Sequence, residues 1–375
     1  MNKSSKVALV LTGGGARSAY QAGALKAIGE IVEGQPFQIY SGLSAGSINC
    51  AFLASHSKTF KQATKELWNL WDQIKYEDVF HTETRFFASK GARLLKNVLG
   101  GGYFNDFSST HLLDNSPLID LLSKNIDFLN LNHNIQSKKV LGMAVTATNY
   151  ASGESVIFFN GQKKTKEWIR SRRIAVRTNL KVEHIMASSA IPMFFPPVYV
   201  DNAYYGDGAM RSRQPLSPAI HLGADSILAI GVRRAKPQKE KSELEQQQKP
   251  KTIVMADVMA TILNSILLDS LDSDIERLSQ INQFVSEHPG SKFKKVPILV
   301  IRPQSDLGAI GSSLLQYYPK VLRYLLKGLG ISRIKGGDLL SFLSFHHEFT
   351  STLLQLGYQD AYQQKKEIKA FYAQN

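Results

Sequence analysis

A serine between two glycines is the residue of this 375-residue chain best suited to covalent catalysis. Residues 42–46 read Gly-Leu-Ser-Ala-Gly, which matches the G-x-S-x-G pattern with Ser44 at its centre. A nucleophilic serine on a sharp strand-to-helix turn crowds the positions two residues away, so Gly42 and Gly46 are needed on either side. The pattern also occurs by chance, but an apolar stretch precedes it and an apolar helical pattern follows it. Ser44 is therefore the predicted nucleophile.

A second glycine-rich segment, Gly-Gly-Gly-Ala-Arg at residues 13–17, joins a predicted strand to a predicted helix. Successive glycines let the backbone approach a ligand and direct N–H groups outward at a helix start, where phosphates and oxyanions bind. A P-loop would need Gly-Lys-Ser/Thr, which this segment lacks. A dinucleotide site would need a glycine at position 18, which is serine, and an acidic residue that closes the second strand. An oxyanion hole and a tight turn without a ligand both fit the segment taken alone.

An aspartate also lies between two glycines, in the sequence Tyr-Gly-Asp-Gly-Ala at residues 205–209. Taken alone, Asp207 in this segment is most simply explained as an Asx turn. Beside a serine turn and a glycine loop it becomes a candidate base, because a serine nucleophile needs a group that takes its proton. None of the nine histidines lies in a comparably tight glycine-flanked turn. In α/β-hydrolases the serine follows several strands, whereas Ser44 follows only the second predicted strand.

The elements that must position these groups follow from the hydrophobic pattern. A continuous apolar run at 7–11 predicts a strand buried on both faces, and helical periodicity over 16–31 predicts the next helix. A second strand at 37–40 and a helix after Ser44 complete a strand–helix–strand–helix order, which is typical of a parallel sheet with helical crossovers. Further strands are predicted at 140–146, 155–159, 198–200, 227–232 and 298–301, and helical patterns at 182–189 and 253–281. Residues 233–251 have the polar composition of a linker.

Three separated motifs resemble those of the patatin-like phospholipase family: the Gly-Gly-Gly-x-Arg loop at 13–17, the serine turn at 42–46 and Asp-Gly-Ala at 207–209. Residues 187–196, Ala-Ser-Ser-Ala-Ile-Pro-Met-Phe-Phe-Pro, are also similar to the segment before the family's aspartate. The resemblance covers residues 7–235 and implies a three-layer α/β fold around a largely parallel sheet. It implies a catalytic domain at 1–235 and a mainly helical C-terminal extension at 236–375, one strand of which joins the sheet. Ser18 is a departure, since many members have glycine there.

The resemblance also implies a Ser–Asp dyad without a histidine, in which Ser44 is the nucleophile and Asp207 the base. Arg17 matches the loop arginine of the family, where it would shape the loop or contact a lipid phosphate. Six glycines would support the site, three around the oxyanion and three at the tight turns: Gly13, Gly14 and Gly15, and Gly42, Gly46 and Gly208.

The activity that the resemblance implies is hydrolysis of an acyl ester of a phospholipid or lysophospholipid, with release of free fatty acid. No cofactor is expected, and no metal, because the chain lacks the ligand spacing of a metal site. Two alternatives stay open. One is a serine acyltransferase on the same scaffold, which passes the acyl group to an alcohol or thiol. The other is a non-catalytic protein that binds anionic lipid or nucleic acid.

The chain has 45 Lys+Arg against 31 Asp+Glu, a formal net charge of +14, which favours anionic partners. With a lipid substrate we expect an anionic membrane surface and no nucleic acid. The densest basic stretch, which includes Trp168, fits a membrane-facing helix or a solvated one: Lys163, Lys164, Lys166, Arg170, Arg172, Arg173, Arg177 and Lys181.

Glycines at 91 and 100–102 flank apolar residues that form either a lid or part of the core: Phe86, Phe87, Leu94, Leu95, Val98 and Leu99. The chain shows no signal-peptide core and no run of about 18 apolar residues. We therefore expect a cytoplasmic protein with at most a peripheral attachment to membranes.

Overall fold

The computed structural model of the protein describes residues 5–82, 111–234, 255–268, 270–312, 315–328 and 337–374. Its centre is a ten-stranded sheet. The strands are β1 Val7–Leu11, β2 Ile39–Leu43, β3 Gly142–Asn149, β4 Ser155–Gly161, β5 Trp168–Arg170, β6 Arg173–Arg177, β7 Val198–Val200, β8 Ala203–Asp207, β9 Ser226–Ile230 and β10 Ile298–Ile301.

Five adjacent strands of this sheet, in the order β10-β9-β1-β2-β3, run parallel. The order continues with β4, β6 and β5, and β4 is antiparallel to β3. Every residue of β1 and β9 is buried, as expected of parallel strands that are covered on both faces. The predicted α/β fold around a largely parallel sheet is confirmed.

Helices separate several of the strands along the chain, whereas β3 to β6 follow one another without an intervening helix. They are α1 Ala19–Ile31, α2 Ala45–Ser55, α3 Phe60–Gln73, α4 Tyr76–Val79, α5 Ser116–Asn125, α6 Phe128–Gln136, α7 Val182–Ser188, α8 Ser217–His221, α9 Met255–Leu267, α10 Ser270–Glu287, α11 Leu307–Ser312, α12 Lys320–Gly328, α13 Gly337–Leu343, α14 His347–Gln363 and α15 Lys365–Ala373. Within the described ranges, none of them has the length and apolar character needed to cross a bilayer.

The side chains of β1 alternate between two cores, one on each face of the sheet. Leu9 and Leu11 belong to the larger core, together with residues of α1, α2 and α14. Ala8 and Val10 belong to the smaller core, together with residues of α8 and α10. This alternation places helices on both sides of the sheet and gives three layers.

The C-terminal residues pack against the sheet and against helix α1. Strand β10 pairs in parallel with β9, so the extension contributes a strand to the sheet. The Tyr20 hydroxyl of α1 donates a hydrogen bond to Asp360 of α14, with 3.0 Å between the oxygens. The helical pattern predicted over 253–281 corresponds to two helices, α9 and α10, because apolar periodicity does not mark where one helix ends and the next begins. The division of the chain at residue 235 stays a prediction.

The basic stretch at 163–181 is not a helix. It contains strands β5 and β6, which pair in antiparallel fashion with Ile169 opposite Ile174. Trp168 is buried and stacks on His221, with ring centroids 4.6 Å apart, so it does not face a membrane. Pairing of β6 with β4 selects the extended conformation, which the spacing of the charges does not report. The predicted lid residues at 86–99 lie outside the described residues.

Candidate active site

The register of three strands brings Ser44 and Asp207 together. Leu43, the last residue of β2, pairs with Thr146 of β3, so Ser44 follows at the level of Ala147. Strand β8 pairs with the end of β3 and places Asp207 opposite Ala147 as well. Strand β4 occupies one edge of β3, and β2 pairs with the other edge as far as Thr146. Strand β8 therefore pairs with the same edge as β2, beyond the point where β2 ends. The two predicted catalytic residues therefore meet at one position of the sheet.

Ser44 has the backbone conformation of a strained turn. Its φ of 50° and ψ of −135° are unusual for a residue with a side chain, at a cost of about 1–3 kcal/mol. Hydrogen bonds hold the turn in place. The Ser44 N–H donates to Ser188 Oγ at 3.0 Å, and the Ser188 hydroxyl donates to the carbonyl of Thr146 at 2.7 Å. The Ser44 carbonyl accepts a bond from the Ser47 hydroxyl at 2.6 Å.

The glycines on either side of Ser44 lie where a side chain does not fit. A Cβ atom at Gly46 would lie 2.5 Å from the carbonyl oxygen of Leu11, and one at Gly42 would collide with the backbone of Ser47. The serine turn thus packs directly against the end of β1. This crowding is the physical reason why the G-x-S-x-G pattern indicates a nucleophile turn.

Asp207 is fully buried at the end of β8. Its Oδ1 accepts a hydrogen bond from the Ala209 N–H at 2.9 Å, and its carbonyl accepts one from the Thr148 hydroxyl at 2.8 Å. Burial raises the pKa of Asp207 from 3.8 to about 7, against the opposing effects of hydrogen bonds from Ser44 and Ala209. Gly208 lets the chain pass directly over a carbonyl of β3. The carboxyl group is therefore fixed in position and half-ionised near neutral pH.

Ser44 Oγ and Asp207 Oδ2 are buried, and neither makes a hydrogen bond of standard geometry within the described chain. The serine hydroxyl is nevertheless close enough to lower the pKa of Asp207. Catalytic hydrogen bonds are often long before substrate binds and shorten in the reacting complex. All nine histidines lie in the described ranges, and none of them lines the pocket beside Ser44. Among the described residues, no group of three or more His, Cys, Asp or Glu could hold a metal ion.

The glycine loop lies against the nucleophile. A Cβ atom at Gly13 would lie 2.8 Å from Ser44 Cβ, and one at Gly14 would lie 2.5 Å from a methyl group of Val232. Gly15 has a φ of 55° and opens a short 3₁₀ helix, whose first N–H groups have no acceptor within the helix. Gly15 and Ser44 line the same pocket. The loop is thus placed to present N–H donors beside the serine, as the oxyanion-hole interpretation requires.

Arg17 is held by helix α13 of the C-terminal extension. Its Nη2 lies 2.8 Å from Asp338 Oδ1, its Nε donates to Ser341 Oγ at 2.7 Å, and its guanidinium lies 4.4 Å from the centre of the Phe342 ring. Burial lowers the pKa of Arg17, and the charge of Asp338 opposes that effect. A Cβ atom at Gly15 would collide with the Phe342 carbonyl. These contacts support the loop-shaping role of Arg17 over contact with a lipid phosphate.

Three residues that support the site, Ser188, Asp338 and Ser341, are not predicted by the sequence. Ser188 lies within the segment 187–196, which resembles a segment of the family. That resemblance does not predict the hydrogen bond between Ser188 and Ser44. Asp338 and Ser341 carry no local signal, because more than 300 positions separate them from Arg17 in the sequence.

An apolar pocket opens beside Ser44. Aliphatic and aromatic side chains form most of its wall, from Ile48, Phe52, Leu70, Trp71, Ile74, Val79, Leu118, Leu121, Leu122, Ile126, Ile191, Phe195 and Phe345. A wall of this kind suits a hydrocarbon chain, since it offers almost no hydrogen-bond partners.

Comparison with known proteins gives a family match and distant structural matches. The chain is similar to VipD from Legionella pneumophila, with 12% identity, a TM-score of 0.39, and coverage of 97% of this chain and 67% of that chain. It is similar to the type III effector ExoU, with 11% identity, a TM-score of 0.38, and coverage of 98% of this chain and 54% of that chain. A third match is the SpcU–ExoU complex from Pseudomonas aeruginosa, with 18% identity, a TM-score of 0.27, and coverage of 76% and 59%.

The chain therefore spans little more than half the length of the ExoU chain that it matches. No curated protein matches it with statistical significance. The model of the patatin-like phospholipase family matches residues 9–220, which include the glycine loop, the serine turn and the aspartate turn. That match covers more than half of the 375 residues, and this chain belongs to the patatin-like phospholipase family.

Proposed function

We propose that this protein is a serine acyl-ester hydrolase that uses Ser44 as nucleophile and Asp207 as general base to release fatty acid from a phospholipid or lysophospholipid. The observation that carries the proposal is the meeting of these two residues at one register position of β3. A carboxylate whose pKa is raised to about 7 is a much better proton acceptor than an exposed aspartate and is still about half ionised at neutral pH.

In the acylation step Asp207 accepts the proton of Ser44 Oγ while this oxygen forms a bond to the ester carbonyl carbon. The carbonyl π electrons move to oxygen, and N–H groups of the loop Gly13–Gly15 stabilise the resulting anion, typically by about 2.7–4 kcal/mol for each donor. The carbonyl then re-forms and the ester C–O bond breaks. The departing alkoxide of the lipid takes the proton from Asp207.

In the deacylation step Asp207 accepts a proton from water as the water oxygen attacks the acyl–Ser44 ester. Collapse of the second tetrahedral anion breaks the bond to Oγ, and Oγ recovers its proton from Asp207. The products are a free fatty acid and the unmodified enzyme. The apolar pocket beside Ser44 supports a lipid substrate, because an acyl chain that fills it leaves its carbonyl beside the serine.

The test compares Asp207→Asn with nine single His→Ala variants on a water-soluble fatty-acyl ester. We expect Asp207→Asn to lose nearly all turnover, because an amide does not accept the serine proton, and every folded histidine variant to keep it. Loss of turnover in one folded histidine variant, as complete as in Asp207→Asn, would indicate a triad instead. Product analysis with and without an added alcohol separates hydrolysis from acyl transfer.

A further inference from the structure

Three turns lie at the same end of the sheet as Ser44. Strand β3 runs parallel to β1 and β2, so its last residue, Asn149, lies at the end where the glycine loop and the serine turn lie. Strands β4 and β6 begin at this end, because Ser155 of β4 pairs with Thr148 of β3 and with Arg173 of β6. Strand β8 also begins there, because Tyr205 pairs with Asn149 and the two strands are antiparallel. We refer to the turns at 150–154, 171–172 and 201–202, with the residues that flank them, as the catalytic rim.

Contacts connect the three turns of the catalytic rim into one surface. The Ser155 N–H donates to the carbonyl of Arg172 at 3.1 Å, which joins the first two turns. The Tyr150 N–H donates to the carbonyl of Tyr204 at 3.0 Å, which joins the first turn to the β7–β8 hairpin. Tyr204 pairs with Tyr199 across that hairpin, with ring centroids 5.0 Å apart. The rim is therefore continuous from β5 to β7.

Large apolar and aromatic groups are exposed on the catalytic rim and beside it. Tyr150, Tyr199 and Tyr204 keep 43%, 58% and 57% of their surface accessible, and Ile169 of the edge strand β5 keeps 73%. Tyrosine has an apolar ring and a polar hydroxyl, which suits it to the headgroup level of a bilayer, where one end is apolar and the other hydrated.

The catalytic rim also has more basic than acidic groups. Arg170 and Arg172 belong to the second turn and its flank, and Arg211 lies beside the first turn, where a Cβ atom at Gly153 would be 3.6 Å from its Nη2. All three arginines are exposed, and none of them forms an ion pair with another described residue. The acidic side chains in the three turns are Glu154 and Asp201, and the Asp201 carboxylate lies 3.3 Å from the His184 ring nitrogen. This surplus of guanidinium groups without an ion-pair partner among the described residues is complementary to phosphate and carboxylate groups at a lipid surface.

We propose that the catalytic rim is the face that docks on an anionic lipid bilayer, with its three tyrosines among the headgroups and its arginines on lipid phosphates. The inference rests on the proposed function, since a lipid hydrolase must take its substrate from a surface. Docking through this rim presents the end of the sheet that holds Ser44 and Asp207 to the bilayer.

The remainder of the basic stretch provides a matched control. Lys163 and Lys164 follow the last residue of β4, Gly161, which pairs with the first residue of β3. They share a groove with Lys6, which precedes β1, so they lie at the opposite end of the sheet. Removing two charges from either end changes the net charge of the protein equally but alters opposite faces.

The experiment measures binding of the full chain to phosphatidylcholine vesicles with and without phosphatidylserine. Arg170→Gln/Arg172→Gln is expected to weaken binding to the anionic vesicles about 25-fold, since each of the two basic residues near such a surface contributes about fivefold. Lys163→Gln/Lys164→Gln is expected to change it less than about twofold, because these groups are then more than a Debye length from the surface.

A third variant, Tyr199→Ser/Tyr204→Ser, is expected to weaken binding to both kinds of vesicle, because it removes apolar contact rather than charge. All three variants should turn over a water-soluble ester at the wild-type rate. If Arg172→Gln disturbs its turn, Arg170→Gln against Lys163→Gln gives the same comparison with about a fivefold effect.

Equal weakening by the arginine and lysine pairs would overturn the docking proposal, and so would wild-type binding by the arginine and tyrosine pairs. These outcomes are separate from a failure of the proposed function. That failure would appear as a wild-type protein that binds vesicles but cleaves no soluble ester.

Discussion

Replacing Asp207 by asparagine is expected to stabilise the fold at neutral and alkaline pH while it removes the general base. Burial raises the pKa of Asp207 from 3.8 to about 7 in the folded protein. Between these values the folded carboxyl group keeps a proton that the unfolded chain has released. The folded state is then favoured by acid, so the stability linked to this group is complete below about pH 4 and is lost as the pH rises to 7.

The size of the effect follows from the two pKa values. A pKa difference of one corresponds to about 1.4 kcal/mol, so the change from 3.8 to about 7 corresponds to about 4 kcal/mol once the carboxyl is ionised. About 2–3 kcal/mol of this is lost between pH 5 and pH 8. Asparagine is close in shape and does not titrate, so the variant does not lose this free energy. Its advantage over the wild type should therefore grow with pH.

Urea unfolding at pH 5 and pH 8, followed by tryptophan fluorescence, measures this advantage. We expect the difference in free energy of unfolding between Asp207→Asn and the wild type to increase by about 2–3 kcal/mol over this range. Ser44→Ala is the control, because it also removes activity but leaves the titrating carboxyl in place. A difference that stays constant from pH 5 to pH 8 would show that Asp207 is not a carboxyl with a raised pKa.

Three further results are expected. On a soluble ester, kcat/KM should fall about tenfold per pH unit below pH 7 and level off above it, because Asp207 must be ionised to act; a flat profile from pH 5 to pH 8 would contradict this role. Gly13→Ala should lower kcat about 10²–10³-fold with little change in KM, because the added methyl group lies 2.8 Å from Ser44 Cβ and displaces an oxyanion donor. Asp338→Asn should lower kcat and cost about 1–3 kcal/mol in the free energy of unfolding, because buried Arg17 loses its charged partner; unchanged kinetics and stability would show that α13 does not support the loop.

The sequence predicts the elements that depend on continuous apolar runs. The strand expected at 7–11 is the observed β1 without any shift, because a strand covered on both faces needs an apolar residue at every position. The strand expected at 298–301 is the observed β10, also without a shift, although it lies at the edge of the sheet and three of its four residues are only half-buried. The serine turn is also predictable, since the crowding that demands its glycines is local. The apolar pattern predicts the strand before it at 37–40, whereas β2 is Ile39–Leu43 and includes part of the G-x-S-x-G motif.

Features that depend on contacts distant in sequence are not predictable in this way. Asp207 lies beside Ser44 because β8 pairs with β3 directly beyond the last residue of β2. No local sequence pattern encodes the register of that pairing. The support of Arg17 comes from α13, at the far end of the chain. The charge spacing around Arg172 predicts a helix where the structure has strands β5 and β6, because that spacing carries no information about strand pairing.

The most direct test of the Ser44–Asp207 dyad is labelling with a fluorophosphonate, which reacts only with an activated serine. At pH 8 we expect one label per chain on the peptide that contains Ser44, no label in Ser44→Ala, and labelling of Asp207→Asn slowed by orders of magnitude. Mass mapping of the label and its rate of formation give both answers from one sample. A label on another serine, or an Asp207→Asn variant that labels at the wild-type rate while folded, would contradict the account.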